Sequence, residues 1–201
     1  MSKEWQRHQE KQYKDGKELK INGLVKHLCK VKIINSIYIF CLYKKCGKEI
    51  NMIKQFNVQS LAQTQALATQ LAALLSPPDV LTLEGDLGAG KTAFTQALAR
   101  ALGVTRTVSS PTFTILKQYE GKYPLNHLDV YRLAGSDEDL GWDELFYGDA
   151  ISVIEWAHLI EEDLPSERLE IRIIHEGNDN RTITITPIGK HYEKICEGLF
   201  L

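Results

Sequence analysis

The sequence predicts an α/β layer fold: a mostly parallel sheet flanked by helices, with an antiparallel edge hairpin. Three observations lead there. Short apolar runs alternate with segments whose apolar residues recur at helical spacing. A glycine-rich turn, "GDLGAGKT", joins one such run to one such segment. Near the C-terminus, two stretches alternate polar and apolar residues with period two around "HEGNDN", as the arms of a hairpin do.

Taken in order, Ser60 followed by Gln63 forms a capping box that opens a helix. Leu67, Leu71 and Leu74 continue it until Pro77-Pro78 ends it. "VLTL", residues 80–83, is a short buried strand. A second helix is expected over Lys91–Leu102, with Phe94, Leu98 and Leu102 on one face and Gly103 closing it. "TFTILKQY" and "YPLNHLDVY" read as strands separated by Gly121. "AISVIEW" is apolar enough to be buried on both faces of a parallel sheet. "RLEIRII" and "RTITITPI" supply the hairpin.

The chain has 201 residues, 43% hydrophobic and 25% charged, which is enough for one filled core and too little for two large domains. Its net charge of -2 hides an asymmetry. Residues 1–51 hold 12 of the 24 basic residues and 5 of the 26 acidic ones, a balance of +7; the rest hold 12 basic and 21 acidic, a balance of −9. The composition changes at the same point, from Lys, Ile, Asn and Tyr to Leu, Ala, Gln, Thr and Gly. The expected organisation is a basic N-terminal extension, 1–51, dispensable or poorly ordered, followed by one domain over 52–201. A basic docking arm and a targeting segment are the competing readings of the extension.

Three of the four cysteines, Cys29, Cys41 and Cys46, lie in that extension at spacings that fit no zinc pair, so a reduced, cytoplasmic setting is expected. "VKIINSIYIFCLY" is too short and too polar for a span of roughly 20 apolar residues, so no membrane association is expected.

Gly85, Gly90, Lys91 and Thr92 satisfy G-x-x-x-x-G-K-[ST] between a predicted strand and a predicted helix. Glycines let successive N–H groups approach phosphate oxygens, and the following helix offers free N–H groups and partial positive charge to the same anion. Lys91 would reach the β- and γ-phosphates, and the Thr92 hydroxyl would ligate Mg²⁺. From residue frequencies the pattern arises by chance in under roughly 1% of chains of this length. The fold expected is therefore P-loop NTPase-like.

A phosphate loop alone does not choose among kinases, GTPases and ATPases. No Asn-Lys-x-Asp is present to read guanine, and the six arginines after residue 51 are scattered, unlike those of a kinase lid. Asp129 ends "LNHLD" and Glu155 ends "ISVIE", each at the exit of an apolar strand. Ligands of open α/β sheets sit at those strand ends, where a carboxylate can hold Mg²⁺, hold its waters or orient an attacking water. A solvated strand-end acid is the plain alternative for each.

"GDLGAGKT", "SSPTFTILKQY", "NHLDVYRL" and "GWDELFYGDAISVIEWAH" follow one another at intervals that resemble the TsaE family. These are bacterial ATPases needed for threonylcarbamoyladenosine modification of tRNA. The resemblance covers essentially all of 52–201 and none of 1–51. It implies that Asp86, Leu87, Gly88, Ala89, Gly90, Lys91 and Thr92 bind ATP, and that Mg²⁺ falls on Thr92 and Glu155. Asp129 would act on metal or water, making Lys91, Asp129 and Glu155 the catalytic set. Trp156 would lie beside the nucleotide, Thr64 of the first helix at the base, and Ser110–Phe113, with Thr112, in a switch-like loop. Ala93 departs from a threonine common there, and Ala157-His158 from a proline or acid; neither touches the phosphates. His127 reads as structural, since phosphoanhydride hydrolysis needs no histidine, and Arg132 as a surface residue.

The resemblance also implies a complex with the companion proteins of the modification pathway, of TsaB and TsaD type, with tRNA engaged indirectly. No arginine finger is apparent, so slow turnover alone and stimulation by partners are expected. A small-molecule kinase or a nucleotide-binding module without turnover are the rival functions.

Overall fold

The structure, a computed structural model, describes residues 19–21, 24–34, 37–46, 49–135 and 140–199, with side chains from residue 52 onward. The expectation for the extension falls partly on residues 1–18, outside the described ones. In chain order the strands are β1 (Leu19–Ile21), β2 (Leu24–Ile34), β3 (Ile37–Cys46), β4 (Glu49–Val58), β5 (Val80–Glu84), β6 (Leu116–Tyr119), β7 (Leu125–Asp129), β8 (Ile151–Glu155), β9 (Arg168–His175) and β10 (Arg181–Ile188). The helices are α1 (Leu61–Ala72), α2 (Lys91–Ala101), α3 (Trp142–Tyr147) and α4 (Lys190–Glu197).

Among the described residues the sheet order is β1-β2-β3-β4-β10-β9-β5-β8-β7-β6. Its middle is parallel, β9 on β5, β5 on β8 and β8 on β7. The expected β9–β10 hairpin pairs antiparallel from Arg181↔His175 to Ile188↔Arg168 and flanks the parallel strands. β4 then covers its outer side. β6 runs antiparallel to β7 at the far edge.

Side chains alternate between the two faces of the parallel strands as a pleat requires, and β7 and β8 are buried on both. Leu81, Leu83, Leu125, Ile151 and Val153 join the core under α1 and α2, which also holds Leu67, Leu71, Phe94 and Leu98. Val80, Leu128 and Ile154 face the other way, against Leu145, Phe146, Leu133 and Ile160. Each fully buried Leu or Phe contributes about 1.5–3 kcal/mol. The parallel middle of the sheet is therefore held between two apolar layers, which fixes its strand ends relative to α2.

The N-cap half of the expected capping box is present, Ser60 Oγ accepting from the Gln63 N–H at 3.3 Å, while Gln63 Oε1 reaches one residue further back and accepts from the Gln59 N–H at 2.6 Å. Two boundaries differ from expectation. α1 stops at Ala72, before the prolines, and Leu74 lies beyond it, 37% exposed. "TFTILKQY" is strand only from Leu116, because the Pro111 carbonyl accepts the N–H groups of Thr114 and Ile115 and makes the first half a turn. No helix among the described residues is long and apolar enough to cross a membrane.

Candidate functional site

The glycine loop lies between β5 and α2, as the motif requires. Gly85, Gly88 and Gly90 have φ of 149°, 81° and 113°, a region L side chains rarely adopt. A Cβ on Gly85 would meet the Ile173 carbonyl oxygen at 2.3 Å, so this turn admits no side chain there. From β10, Arg181 Nε donates to the Ala89 carbonyl at 2.8 Å and braces the loop from behind.

Parity places the acids. Leu125, His127 and Asp129 share one face of β7; Ile151, Val153 and Glu155 share the same face of β8, the side of α2. Asp129 and Glu155 are register partners at the two strand ends, and each is only 3% exposed. Thr92, in the first turn of α2, donates from Oγ1 to Glu155 Oε1 at 3.1 Å. His127 Nε2 lies 2.9 Å from the same oxygen. Asp129 Oδ2 accepts from Thr112 Oγ1 at 2.6 Å and Ser110 Oγ at 3.3 Å, and its Oδ1 accepts the Tyr131 N–H at 3.2 Å.

Lys91 Nζ donates to the Gly85 carbonyl at 2.7 Å and the Asp86 carbonyl at 3.2 Å, and lies 3.9 Å from the centroid of the Trp156 ring. Burial pushes its ammonium below the ordinary 10.5, and Glu155, Asp129, Glu84 and Asp86 push back. Trp156 holds a left-handed φ of 65°, strain on the order of 1–2 kcal/mol that its contacts with Lys91 and with Tyr131, ring centroids 5.2 Å apart, offset.

These residues line one cleft of about 530 Å³ that includes Leu87, Gly88, Gly90, Lys91, Thr92, Ser110, Thr112, Asp129, Glu155 and Trp156. Three expected residues lie apart from its lining. Ala89 is buried behind it. Asp86 lines a neighbouring groove of about 580 Å³ with Glu84 and His158. Thr64 is 1% exposed within α1, its hydroxyl donating to the Ser60 carbonyl at 3.4 Å.

Ser110, expected only in the switch-like loop, donates to Asp129, whereas nothing in the sequence reading puts Tyr131, His127 or Arg181 at the site. His127 alone had a signal, its i, i+2 spacing from Asp129 on one strand face. Arg132, read as a surface residue, donates from Nε to the Thr112 carbonyl at 2.8 Å.

The donor set suits a hard cation. A hydroxyl and two carboxylates converge, and Mg²⁺ completes such a shell with phosphate oxygens and water. Among the described residues no group of three His, Cys, Asp or Glu side chains could hold a metal by itself. The positive-φ loop before a helix N-terminus, with Lys91 beside it, suits a polyphosphate.

Residues 58–183 match the family model of the threonylcarbamoyl adenosine biosynthesis protein TsaE. The chain is 57% identical over 138 residues to the tRNA threonylcarbamoyladenosine biosynthesis protein TsaE of Bacillus subtilis, covering 68% of this chain and 87% of that one. Its counterpart from Treponema pallidum is 39% identical over 129 residues, covering 63% and 96%. A crystal structure of Bacillus subtilis YdiB superposes with a TM-score of 0.67 at 48% identity, covering 76% of this chain and 97% of that one.

Proposed function

The chain belongs to the TsaE family of tRNA threonylcarbamoyladenosine biosynthesis proteins, and from that premise we propose that it is an Mg²⁺-dependent ATPase acting as a switch on its pathway's companion proteins. What carries the reading is the convergence of Thr92, Glu155 and Asp129 on one cleft beside the glycine loop. The N–H groups of the loop and of the first turn of α2, together with Lys91, hold the β- and γ-phosphates of ATP. Lys91 leaves its carbonyl partners to do so, exchanging two neutral acceptors for charged oxygens.

Thr92 and Glu155 would hold Mg²⁺, which supplies neutralisation of the charge on the bridging and terminal oxygens during transfer. Asp129 orients the water that attacks the γ-phosphorus in line with the departing ADP oxygen, or completes the metal shell. Its Oδ2 already accepts from the hydroxyls of Ser110 and Thr112, so a metal or water engaged through that oxygen competes with them. The 110–114 turn therefore feels what Asp129 holds, which gives the switch a physical basis.

No arginine lines the cleft among the described residues, so turnover is slow alone and rises when a companion protein of TsaB or TsaD type docks. tRNA is engaged through those partners, in keeping with the −9 balance after residue 51, which offers phosphate little attraction. The working compartment is the cytoplasm.

The test is ATP hydrolysis by the chain with and without the companion proteins. Phosphate release that needs no acceptor substrate, rises with the companions and disappears in Glu155→Ala supports the reading. ADP formation only in the presence of a phosphoryl acceptor would make it a kinase.

A further inference from the structure

We propose that His127 is a positioning residue: its Nε2–H fixes the Glu155 carboxylate so that Oε2 is the oxygen offered to the divalent cation. This rests on the Mg²⁺-dependent reading above and adds a residue to it. His127 is wholly buried in the middle of β7, and its ring reaches along the strand face to Glu155 Oε1 at 2.9 Å. A carboxylate only accepts, so the ring nitrogen donates. Nδ1 is buried with no partner, and a single proton on Nε2 avoids burying an unpartnered N–H. The hydrogen bonds thereby choose the tautomer.

Glu155 Oε1 then receives two donors, the imidazole from beneath and the Thr92 hydroxyl from α2. Oε2 takes no hydrogen bond from any described residue. Two donors from different elements on one oxygen stop rotation of the carboxylate, which would otherwise present either oxygen. A histidine that merely fills the core would contribute volume, and an apolar side chain of similar size would replace it. The proposal requires instead a donor at the distance of Nε2. Groups that hydrogen-bond a ligating carboxylate typically change metal affinity by about 10–100-fold when removed.

The experiment compares His127→Gln, whose side-chain amide reaches the position of Nε2, with His127→Asn, which retains an amide but falls short. The readout is the Mg²⁺ concentration that half-saturates binding of a non-hydrolysable ATP analogue, measured on the full chain by Trp156 fluorescence, beside analogue affinity without metal. Expected is a rise of about 10-fold or more in that concentration for Asn, and a value within about 3-fold of wild type for Gln. Metal-free affinity should match wild type in both. Nitrogen NMR of the wild-type ring should show the proton on Nε2.

Equal Mg²⁺ requirements in both variants and wild type, or the proton on Nδ1, overturns the proposal and leaves the ATPase reading standing. A wild-type chain that binds no ATP analogue with or without metal removes that reading, and the proposal with it.

Discussion

Asp129 and Glu155 stand opposite one another in register at the ends of adjacent parallel strands, and each carboxylate is already met by a hydroxyl from another element. Thr112 donates to the first at 2.6 Å and Thr92 to the second at 3.1 Å. The two acids therefore report to different parts of the molecule, Glu155 to the helix behind the glycine loop and Asp129 to the 110–114 turn. Their substitutions should separate accordingly.

Glu155→Ala should lower ATP hydrolysis on the order of 100-fold or more, the scale seen when one preorganised electrostatic group is lost. ATP binding without metal should survive, since the loop amides and Lys91 remain. Turnover and metal-free binding measured on the same sample check this. Equal loss of both would mean that Glu155 supports the loop and not the metal.

Thr112→Val keeps shape and removes the 2.6 Å donor from a carboxylate that is 3% exposed. Leaving a buried acceptor short of a partner costs about 1–3 kcal/mol, or roughly 2–4 °C in Tm per kcal/mol at this chain length. Protease cleavage near Phe113, which is 86% exposed, should speed up as the turn loosens. An unchanged Tm and cleavage rate would show that Ser110 and the Tyr131 N–H suffice to hold Asp129.

The loop glycines should not tolerate change equally. Gly85→Ala puts a methyl 2.3 Å from the Ile173 carbonyl oxygen, so backbone must move; a loss of roughly 3 kcal/mol or more is expected. Gly88→Ala meets nothing within 4 Å and carries only its left-handed backbone, about 1–2 kcal/mol. Chemical denaturation of the two variants gives the comparison.

Lys91 supplies a pH dependence whose sign is fixed. Its folded value lies below 10.5, mainly through burial, so between the two values the unfolded chain binds more protons. The Lys91 contribution is thus unfavourable at lower pH and is relieved as pH rises toward 10.5. Wild-type stability should gain relative to Lys91→Met over that rise, followed by paired melting curves. ATP affinity should move oppositely, falling as the ammonium is lost. A stability gap constant with pH would contradict the assigned burial.

A chain beginning at Met52 should fold and bind ATP, because the cleft and both apolar layers lie downstream of that residue. It would cut into β4 and remove the β3 that pairs with it, so some self-association through the bared edge is expected. A cooperative melt with ATP binding is the positive result. Failure to fold would make the extension part of the domain.

Much of this was legible before the structure. The glycine loop, the strand-end acids and the β9–β10 hairpin each announce themselves through local spacing. Leu74 misled, since three leucines at helical intervals cannot reveal that the chain leaves the helix at Ala72. The first half of "TFTILKQY" has strand-forming residues, yet the Pro111 carbonyl captures two N–H groups and bends it. α3 and α4, of 6 and 8 residues, are too short for helical spacing to stand out, while β4 passed unread because it pairs with β10, distant in sequence. For the same reason the role of Arg181 was invisible: nothing in "NRTIT" says that its guanidinium ends on the Ala89 carbonyl.

The most direct measurement is a crystal structure of the chain with Mg²⁺ and a non-hydrolysable ATP analogue. The expected density shows the β- and γ-phosphates against the 88–92 amides and Lys91 Nζ, and a cation touching the Thr92 hydroxyl and Glu155 with Asp129 beside it. An empty loop with the analogue elsewhere, or both carboxylates turned away from the phosphates, would contradict the account.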